Sequence, residues 1–306
     1  MIDEQPSTRA ASGSATLLIA LSACGFGTIP IFVTLATRSG TPLVEVLVGR
    51  YGLAALLLGA IAWFSGTRRL QRDGLRILIV VGSLQALIAY TSLIALQYIS
   101  AGTLSFLFYT YPAWVAIIAR VRHSEPFTRP RLIALALSLI GVAVMVGSPS
   151  SSALHPYGVL LALGSAMIYA AYVPLLGELQ RGLTPPTTAA YMAIGAAAVF
   201  LLVKVLTASP DDGVFAFHLN PVSLRSVLGL AIISTTAAFM LFLRGLSVLG
   251  PVRTAIVSTI EPFCTALLGV WFLGQPMTQS MLVGGVFIAS AVVLLQLRSE
   301  TRAEPV

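Results

Sequence analysis

The chain has 306 residues, of which 57% are hydrophobic and only 9% are charged, and its mean hydropathy is +0.92. Water-soluble domains carry roughly 25% charged residues, so a chain this poor in charge needs lipid as the solvent for much of its surface. The net charge of +7 does not indicate nucleic-acid binding, because the arginines recur in short clusters between apolar runs and form no single patch. We therefore expect a membrane protein whose partners include the lipid bilayer and no nucleic acid.

The N-terminal segment, residues 1–14, is polar and lacks the basic start and cleavage pattern of a signal peptide. We expect a short disordered cytoplasmic tail there, followed by an apolar run that itself acts as the insertion signal. Cys24, in this first run, and Cys264, far along the chain, both lack a CxxC spacing and a metal-ligand neighbour. Both are predicted to be small core residues, and no metal site is expected.

Ten apolar runs of about the length that crosses a bilayer, roughly 20 residues, follow one another along the chain. The run LLIALSACGFGTIPIFV lacks the alternation of apolar and polar residues that membrane β-barrel strands show. The predicted fold class is therefore an all-α membrane protein with ten transmembrane helices. They are expected at residues 15–36, 43–64, 75–96, 102–121, 131–147, 157–177, 186–206, 225–247, 252–273 and 280–297.

Arginines mark one face of the membrane, because short cytoplasmic loops retain Lys and Arg. The second, fourth and sixth loops and the tail at residues 298–306 carry arginines, whereas the alternate loops are almost bare. Both termini are therefore predicted to be cytoplasmic, and an even number of spans agrees with this orientation. The arginines behind the assignment are Arg68, Arg69, Arg72, Arg76, Arg120, Arg122, Arg129, Arg131, Arg181, Arg298 and Arg302.

The chain also contains an internal repeat. YTYPAWVAIIARVRHSEPFT, residues 109–128, has a counterpart in TIEPFCTALLGVWFLGQPMT, residues 259–278, with both prolines at matching positions. We predict a first five-helix repeat at residues 15–147 and a second at residues 157–297. Because five is odd, the two repeats must lie in opposite senses across the membrane, as in many secondary transporters whose site lies between inverted repeats.

These spans and repeats, with several motifs, resemble the drug/metabolite transporter superfamily and in particular its EamA family. The motifs are GRYGLAALLLG in the second span, ALQYISAGTLSFLFYTYP across the third and fourth, and IEPFCTALLGVWFLGQPMT in the ninth. The resemblance implies a bacterial inner-membrane carrier, often an exporter of amino acids and related metabolites, with a central cavity lined by both halves. Tyr111 stands in the first half where Glu261 stands in the second, so the halves are chemically unequal and a symmetric mechanism is in doubt.

Pro112 and Pro262 lie midway along apolar runs, in the fourth and ninth spans. A proline inside a helix removes one hydrogen bond and kinks the helix. The freed carbonyls must then be satisfied by protein or water. Pro112 and Pro262 are candidates for flexing or gating positions, and a static kink that aids packing is the structural alternative.

Glu261 lies about nine residues into its predicted span, which at ~1.5 Å per residue is near the bilayer centre. Ionisable groups at that depth are costly and mark functional sites by default. Glu261 is thus the candidate for carrying a coupling proton or binding a substrate ammonium group, with a structural salt bridge as the alternative. Arg50, well inside the second span, could bind a substrate carboxylate, pair with Glu261, or only reach a helix end.

Polar side chains at helical spacing predict the lining of a cavity on several spans. Each hydroxyl alone more often bonds its own backbone or a neighbouring helix, so the aggregate carries the prediction. The fifth and tenth spans are almost wholly apolar and are expected to pack through small residues, whereas Glu45 and Lys204 near span ends are expected to be interfacial anchors. The predicted substrate-binding residues are Thr28, Arg50, Gln85, Ser105, Tyr109, Tyr111, Tyr169, Tyr172, Thr235, Thr259 and Glu261.

The leading functional prediction is a secondary carrier that exports a small polar metabolite, an amino acid or derivative, by alternating access, with protons as a candidate coupling ion. No ATP-binding motif and no cluster of catalytic groups is present, so neither an enzyme nor a cofactor is expected. The alternatives are an organic-phosphate or nucleotide-sugar exchanger, which would need more interior cations, and a lipid flippase or lipid-modifying enzyme. The sequence leaves the oligomeric state open, with a monomer plausible.

Overall fold

The computed structural model describes residues 5–65, 72–95, 98–99, 104, 107–122, 128–146, 155–207, 217–273 and 279–300. All regular secondary structure in those ranges is helical, in agreement with the predicted all-α class. The first helix begins at Gln5, inside the segment expected to be a tail.

Helices in both halves of the chain follow the predicted apolar runs, and in both halves several of them are interrupted. Two interruptions are π-helical stretches, Ile77–Val81 and Ile232–Ala237, in which the turn is wider than in an α-helix. The α-helices are α1 Gln5–Gly27, α2 Ile29–Arg38, α3 Leu43–Phe64, α4 Arg72–Arg76, α5 Gly82–Ala95, α6 Tyr111–Val121, α7 Arg129–Val146, α8 Pro156–Leu179, α9 Pro185–Thr207, α10 Pro221–Ala231, α11 Ala238–Ser258, α12 Ile260–Leu273 and α13 Gln279–Glu300.

Six helical stretches within the described residues are long and apolar enough to cross a membrane, and three shorter apolar helices accompany them. The protein is therefore a multi-pass membrane protein, while the count of ten spans stays a prediction. The longest stretch, Pro221–Ser258, breaks at Gly250, whose φ of 74° favours glycine, and Pro251 opens the next helix. This break falls where the sequence divides the eighth predicted span from the ninth. The six long stretches are Ser12–Arg38, Leu43–Phe64, Asp73–Ala95, Pro156–Leu179, Pro185–Thr207 and Pro221–Ser258, and the short ones are Tyr111–Val121, Ile260–Phe272 and Leu282–Leu294.

The main helix-to-helix interfaces pair the first half of the chain with the second. Helix α7 packs on α13, α3 on α9, α1 on α11, and α5 on α8. Two five-helix repeats would interlock in this way, because each half leaves apolar faces that only the other half covers.

The α7–α13 pair confirms the expected packing of the two most apolar predicted spans. A Cβ built on Gly141 of α7 would lie 2.8 Å from the Gly284 carbonyl oxygen and 3.0 Å from the Phe287 Cβ. The backbones therefore approach too closely for a larger residue, as small residues allow in membrane helices.

The two cysteines are joined. Cys24 of α1 and Cys264 of α12 form a disulfide, with their Cα atoms 5.1 Å apart. The prediction of two separate core residues was therefore wrong. The disulfide can form because α1 packs on α12, which brings together positions 240 residues apart in the chain.

Candidate functional site

Three helices break at a threonine that is followed, two or three positions later, by a proline. In each case the threonine hydroxyl donates to the carbonyl three residues earlier, at 2.6, 2.7 and 2.6 Å. That bond occupies a carbonyl near the helix end, where the regular hydrogen-bond ladder stops. The threonines are Thr28, Thr110 and Thr259, and the prolines are Pro30, Pro112 and Pro262.

Pro112 and Pro262 accordingly lie in the first turn of a new helix, α6 or α12, and not in the middle of a kinked one. A proline in the first turn is well tolerated, because its missing N–H would have no partner there. The prediction of a continuous kinked helix is corrected to a broken helix. The gating role of the two prolines stays a prediction.

A polar group forms where α3 meets the π-helical stretch Ile232–Ala237. Arg50 is only 3% exposed, and its Nε donates to the Thr235 hydroxyl at 2.9 Å. That hydroxyl donates in turn to the Leu230 carbonyl at 2.8 Å, the five-residue spacing of a π-helical turn. Thr28, at the break between α1 and α2, contacts the Ser234 hydroxyl at 2.6 Å. The interrupted helices thus hold one buried cation in a fixed position.

Gln85 lies beside this polar group. Its Nε2 donates to the Tyr51 hydroxyl at 3.0 Å, and its Oε1 is buried without a hydrogen-bond partner among the described residues. The Tyr51 ring stacks on Phe200 with the ring centroids 5.5 Å apart. The sequence analysis missed Tyr51 as a site residue, although its position next to Arg50 in a membrane span was the available signal.

Aromatic rings form the second part of the site. Tyr111 meets Tyr169 edge-to-face at 4.7 Å, and Tyr169 stacks on Tyr172 at 5.5 Å. Tyr109 lies 6.0 Å from Tyr111, and Phe108, which the sequence analysis did not select, contacts Tyr109, Tyr111 and Tyr169. The break before α6 therefore brings Tyr109 and Tyr111 together with Tyr169 and Tyr172 of α8, so four predicted site residues form one cluster.

The tyrosine hydroxyls have different surroundings. Tyr172 is fully buried and donates to the Met192 sulfur at 2.7 Å, and the Tyr111 hydroxyl donates to the Ala255 carbonyl at 3.3 Å. Tyr109 instead interacts electrostatically with the Glu261 carboxylate. Glu261 acts electrostatically on Tyr111 and Tyr169 as well.

Glu261 is partly buried in the first turn of α12, directly after the break at Thr259. The N-terminus of a helix carries a partial positive charge that favours a carboxylate. Arg50 also acts on Glu261 electrostatically, but the structure shows no ion pair within 4 Å between these two described residues. Glu261 therefore remains available to bind a proton or an ammonium group.

One predicted site residue, Thr259, stands apart from these groups. Thr259 is fully buried, and its hydroxyl donates to the Ile256 carbonyl of its own helix. Ser105 lies outside the described residues. No metal-binding group of His, Cys, Asp or Glu side chains occurs within the described part of the chain.

Glu45 and Lys204 form an ion pair at the start of α3 and the end of α9. Their Oε1 and Nζ atoms are 2.9 Å apart, and the two residues are 6% and 8% exposed. The prediction of interfacial anchors was wrong, because α3 packs on α9 and both charges face protein. His218 adds a backbone N–H bond to Glu45 Oε2 at 2.7 Å and a ring contact to Oε1 at 3.2 Å.

Comparison with known proteins places these observations in context. A model of the EamA-like transporter family matches residues 13–147 and 156–297, one match in each predicted repeat. The uncharacterized transporter YwfM of Bacillus subtilis is 26% identical over 93% of this chain and 96% of its own length. The uncharacterized inner membrane transporter YicL of Salmonella typhimurium is 27% identical over 76% of each chain.

Protein PecM of Dickeya dadantii is 25% identical over 72% of this chain and 73% of its own length. Among solved proteins, one crystal structure has the same fold with a TM-score of 0.79, covering 93% of this chain and 99% of the other. The sequence identity to that structure is 16%, so the likeness concerns the fold alone.

Proposed function

The chain belongs to the EamA-like transporter family, and from that premise we propose that it is a secondary transporter that exports a small polar metabolite by alternating access. The proposed substrate is an amino acid or a close derivative, and the proposed location is the bacterial inner membrane with both termini in the cytoplasm. One observation carries the proposal: Arg50, a buried cation, and Glu261, an acid with no ion-pair partner within 4 Å among the described residues, lie on helices from opposite halves.

A zwitterion fits this pair of charges. Among the described residues, only the Nε group of Arg50 has a hydrogen-bond partner, so both Nη groups can bind a carboxylate in the forked geometry that arginine favours. Glu261 offers its carboxylate to an ammonium group. The tyrosine rings beside it add faces that attract a cation.

Coupling to protons belongs to the same proposal. Glu261 interacts electrostatically with Tyr109, whose hydroxyl group can donate to an ionised carboxylate and accept from a protonated one. A carboxyl group in that setting can exchange a proton for the substrate ammonium group, so that the two compete for one position. Proton entry would then accompany export of the substrate.

The alternatives receive less support. A phosphate or nucleotide-sugar exchanger would need several unpaired interior cations to neutralise its substrate. Among the described residues the buried cations are Arg50 and Lys204, and Lys204 is paired with Glu45. A lipid flippase would need a polar path open to the bilayer, and both proposed substrate groups lie on buried or partly buried side chains.

Reconstituted protein tests the proposal. Proteoliposomes should move labelled amino acids, and Glu261→Gln should lower transport at least tenfold or flatten its dependence on pH. Glu178→Gln is the matched control, since Glu178 is an exposed acid in an ion pair with Arg122. Wild-type transport by Glu261→Gln across the whole pH range would remove Glu261 from the mechanism, and uptake of phosphorylated sugars alone would favour the exchanger.

A further inference from the structure

The ion pair at the start of α3 belongs to a larger set of contacts, here called the Glu45 cluster: Glu45, Lys204 and His218. Both carboxylate oxygens of Glu45 are bonded, Oε1 to the Lys204 Nζ at 2.9 Å and Oε2 to the His218 backbone N–H at 2.7 Å. The Lys204 ammonium also lies 4.5 Å from the centre of the Phe217 ring. Removing one member of a buried charge pair is strongly destabilising, because the remaining charge stays buried with less compensation.

The Glu45 cluster joins the two halves of the chain. Glu45 belongs to the first predicted repeat, whereas Lys204 and His218 belong to the second. Two further bonds cross the same boundary: the Thr41 hydroxyl donates to the His218 carbonyl at 2.9 Å, and the Asn220 amide donates to the Ser39 carbonyl at 2.7 Å. The first and second halves are therefore bound to each other at this end.

The opposite end of the bundle is held differently. Arg122, after α6, pairs with Glu178 of α8 at 3.1 Å, and this pair also connects the two halves. Its side chains are 47% and 42% exposed, against 11% and 7% for Lys204 and Glu45. Water screens exposed pairs, so the Arg122–Glu178 contact forms and breaks at little cost, whereas the Glu45 cluster does not.

The Glu45 cluster also lies next to the proposed substrate site. Glu45 and Arg50 are five positions apart on α3, about 7.5 Å along the helix axis at ~1.5 Å per residue. By the predicted orientation, α3 begins at the outer face. The cluster thus lies between the outside and the buried cation of the site.

We propose that the Glu45 cluster is the outer closure of the transporter: it holds the two halves together at the outer end and must separate before Arg50 and Glu261 face outside. The proposal rests on the alternating-access function proposed above. Replacing Glu45 alone removes the negative charge through which α3 binds Lys204 and His218 of the second half, so the state in which the two halves separate at this end gains in population.

Spin-label distances test the closure without any substrate. One label pair, at Thr37 and Leu219, lies at the outer end on opposite halves, and a second, at Val121 and Arg181, lies at the other end; all four positions are exposed. The bonded Cys24 and Cys264 do not react with the label and stay in place. In lipid nanodiscs, Glu45→Gln should raise the population of long outer distances at least fivefold, with a matching shift of the other pair to shorter distances.

Glu178→Gln is the matched control, and it should leave the outer distances unchanged. If Glu45→Gln does not yield folded protein, Glu45→Gln/Lys204→Met removes both charges and should still show more long outer distances than the wild type. Unchanged outer distances in a folded variant would overturn the closure. Longer outer distances with unchanged distances at the other end would uphold the closure and overturn alternating access instead.

Discussion

At the scale of single residues, the site depends on how Arg50 is held. An arginine side chain inside a membrane protein has several rotatable bonds, and binding a carboxylate with two bonds requires that they be ordered. Thr235 supplies that order, because its hydroxyl accepts from Arg50 Nε while it donates to the Leu230 carbonyl. In the π-helical stretch the carbonyl that accepts from Thr235 lies five residues back, instead of the three or four residues usual in an α-helix.

We therefore expect Thr235→Val to weaken substrate binding. The variant keeps the size of the side chain but removes the acceptor for Arg50, so the KM for the transported amino acid should rise about tenfold, the equivalent of about 1.4 kcal/mol. Thr235→Ser retains the hydroxyl and should remain within about twofold of the wild type in the same uptake assay. Equal KM values for the valine variant and the wild type would show that Arg50 does not bind substrate.

At the scale of helices, the three breaks at threonine share one arrangement, in which the hydroxyl and the backbone N–H of the threonine both donate to the carbonyl three residues earlier. Inside a bilayer such a carbonyl has no water to bond, so the threonine has a structural role at each break. The sequence analysis assigned Thr28 and Thr259 to substrate binding, and their hydroxyls are directed to the backbone. Only Thr28 also reaches another helix, through Ser234.

Thr259→Val should accordingly lower stability and leave the KM near the wild-type value. The Ile256 carbonyl keeps the Thr259 backbone N–H at 3.1 Å but loses the hydroxyl, so the variant should be less stable by about 1 kcal/mol, measured as a lower thermal midpoint in detergent. Thr91→Val is the control, because the Thr91 hydroxyl makes the same kind of bond, to the Leu87 carbonyl, in the middle of a continuous helix. An equal loss of stability in the two variants would contradict the role given to the break.

The contact between α7 and α13 yields a second prediction at this scale. Gly141→Ala places a methyl group against the Gly284 carbonyl and the Phe287 side chain, so it should destabilise the protein by about 1–3 kcal/mol. Gly164→Ala is the matched control, since nothing lies within 4 Å of its added Cβ and alanine favours the helix. Thermal midpoints should fall for the first variant only, and a fall of the same size in both would mean that the close packing of α7 and α13 is not the cause.

At the scale of the whole molecule, orientation depends on the distribution of arginines between loops. We predict that alkaline phosphatase is active when fused after Leu219 and inactive when fused at the C-terminus, where green fluorescent protein should fluoresce instead. The physical reason is that arginine-rich loops are retained in the cytoplasm during insertion. The reverse result at the two fusion sites would contradict the predicted orientation and the position assigned to the Glu45 cluster.

Much of the architecture was predictable because membrane helices must satisfy their own backbones and therefore appear as long apolar runs. The boundary between the eighth and ninth predicted spans agrees with the break at Gly250, because one apolar run ends there and the next begins. The nature of the breaks at Thr110 and Thr259 was not predictable, because the rule for an interior proline allows either a kink or a new helix. Whether the helix continues with a kink, or ends so that a new helix begins, depends on the hydrogen-bond donors that neighbouring helices provide to the freed carbonyls.

The amino-acid sequence by itself determined the membrane class, the helical runs, the internal repeat and the set of candidate polar residues, because each of these follows from local composition and spacing. Only the tertiary structure decided which of those residues meet: Arg50 with Thr235, Tyr109 with Glu261, Glu45 with Lys204, and Cys24 with Cys264. These partners lie between 152 and 240 positions apart in the chain. Contacts over such separations arise from the packing of one half on the other, which no local pattern of residues records.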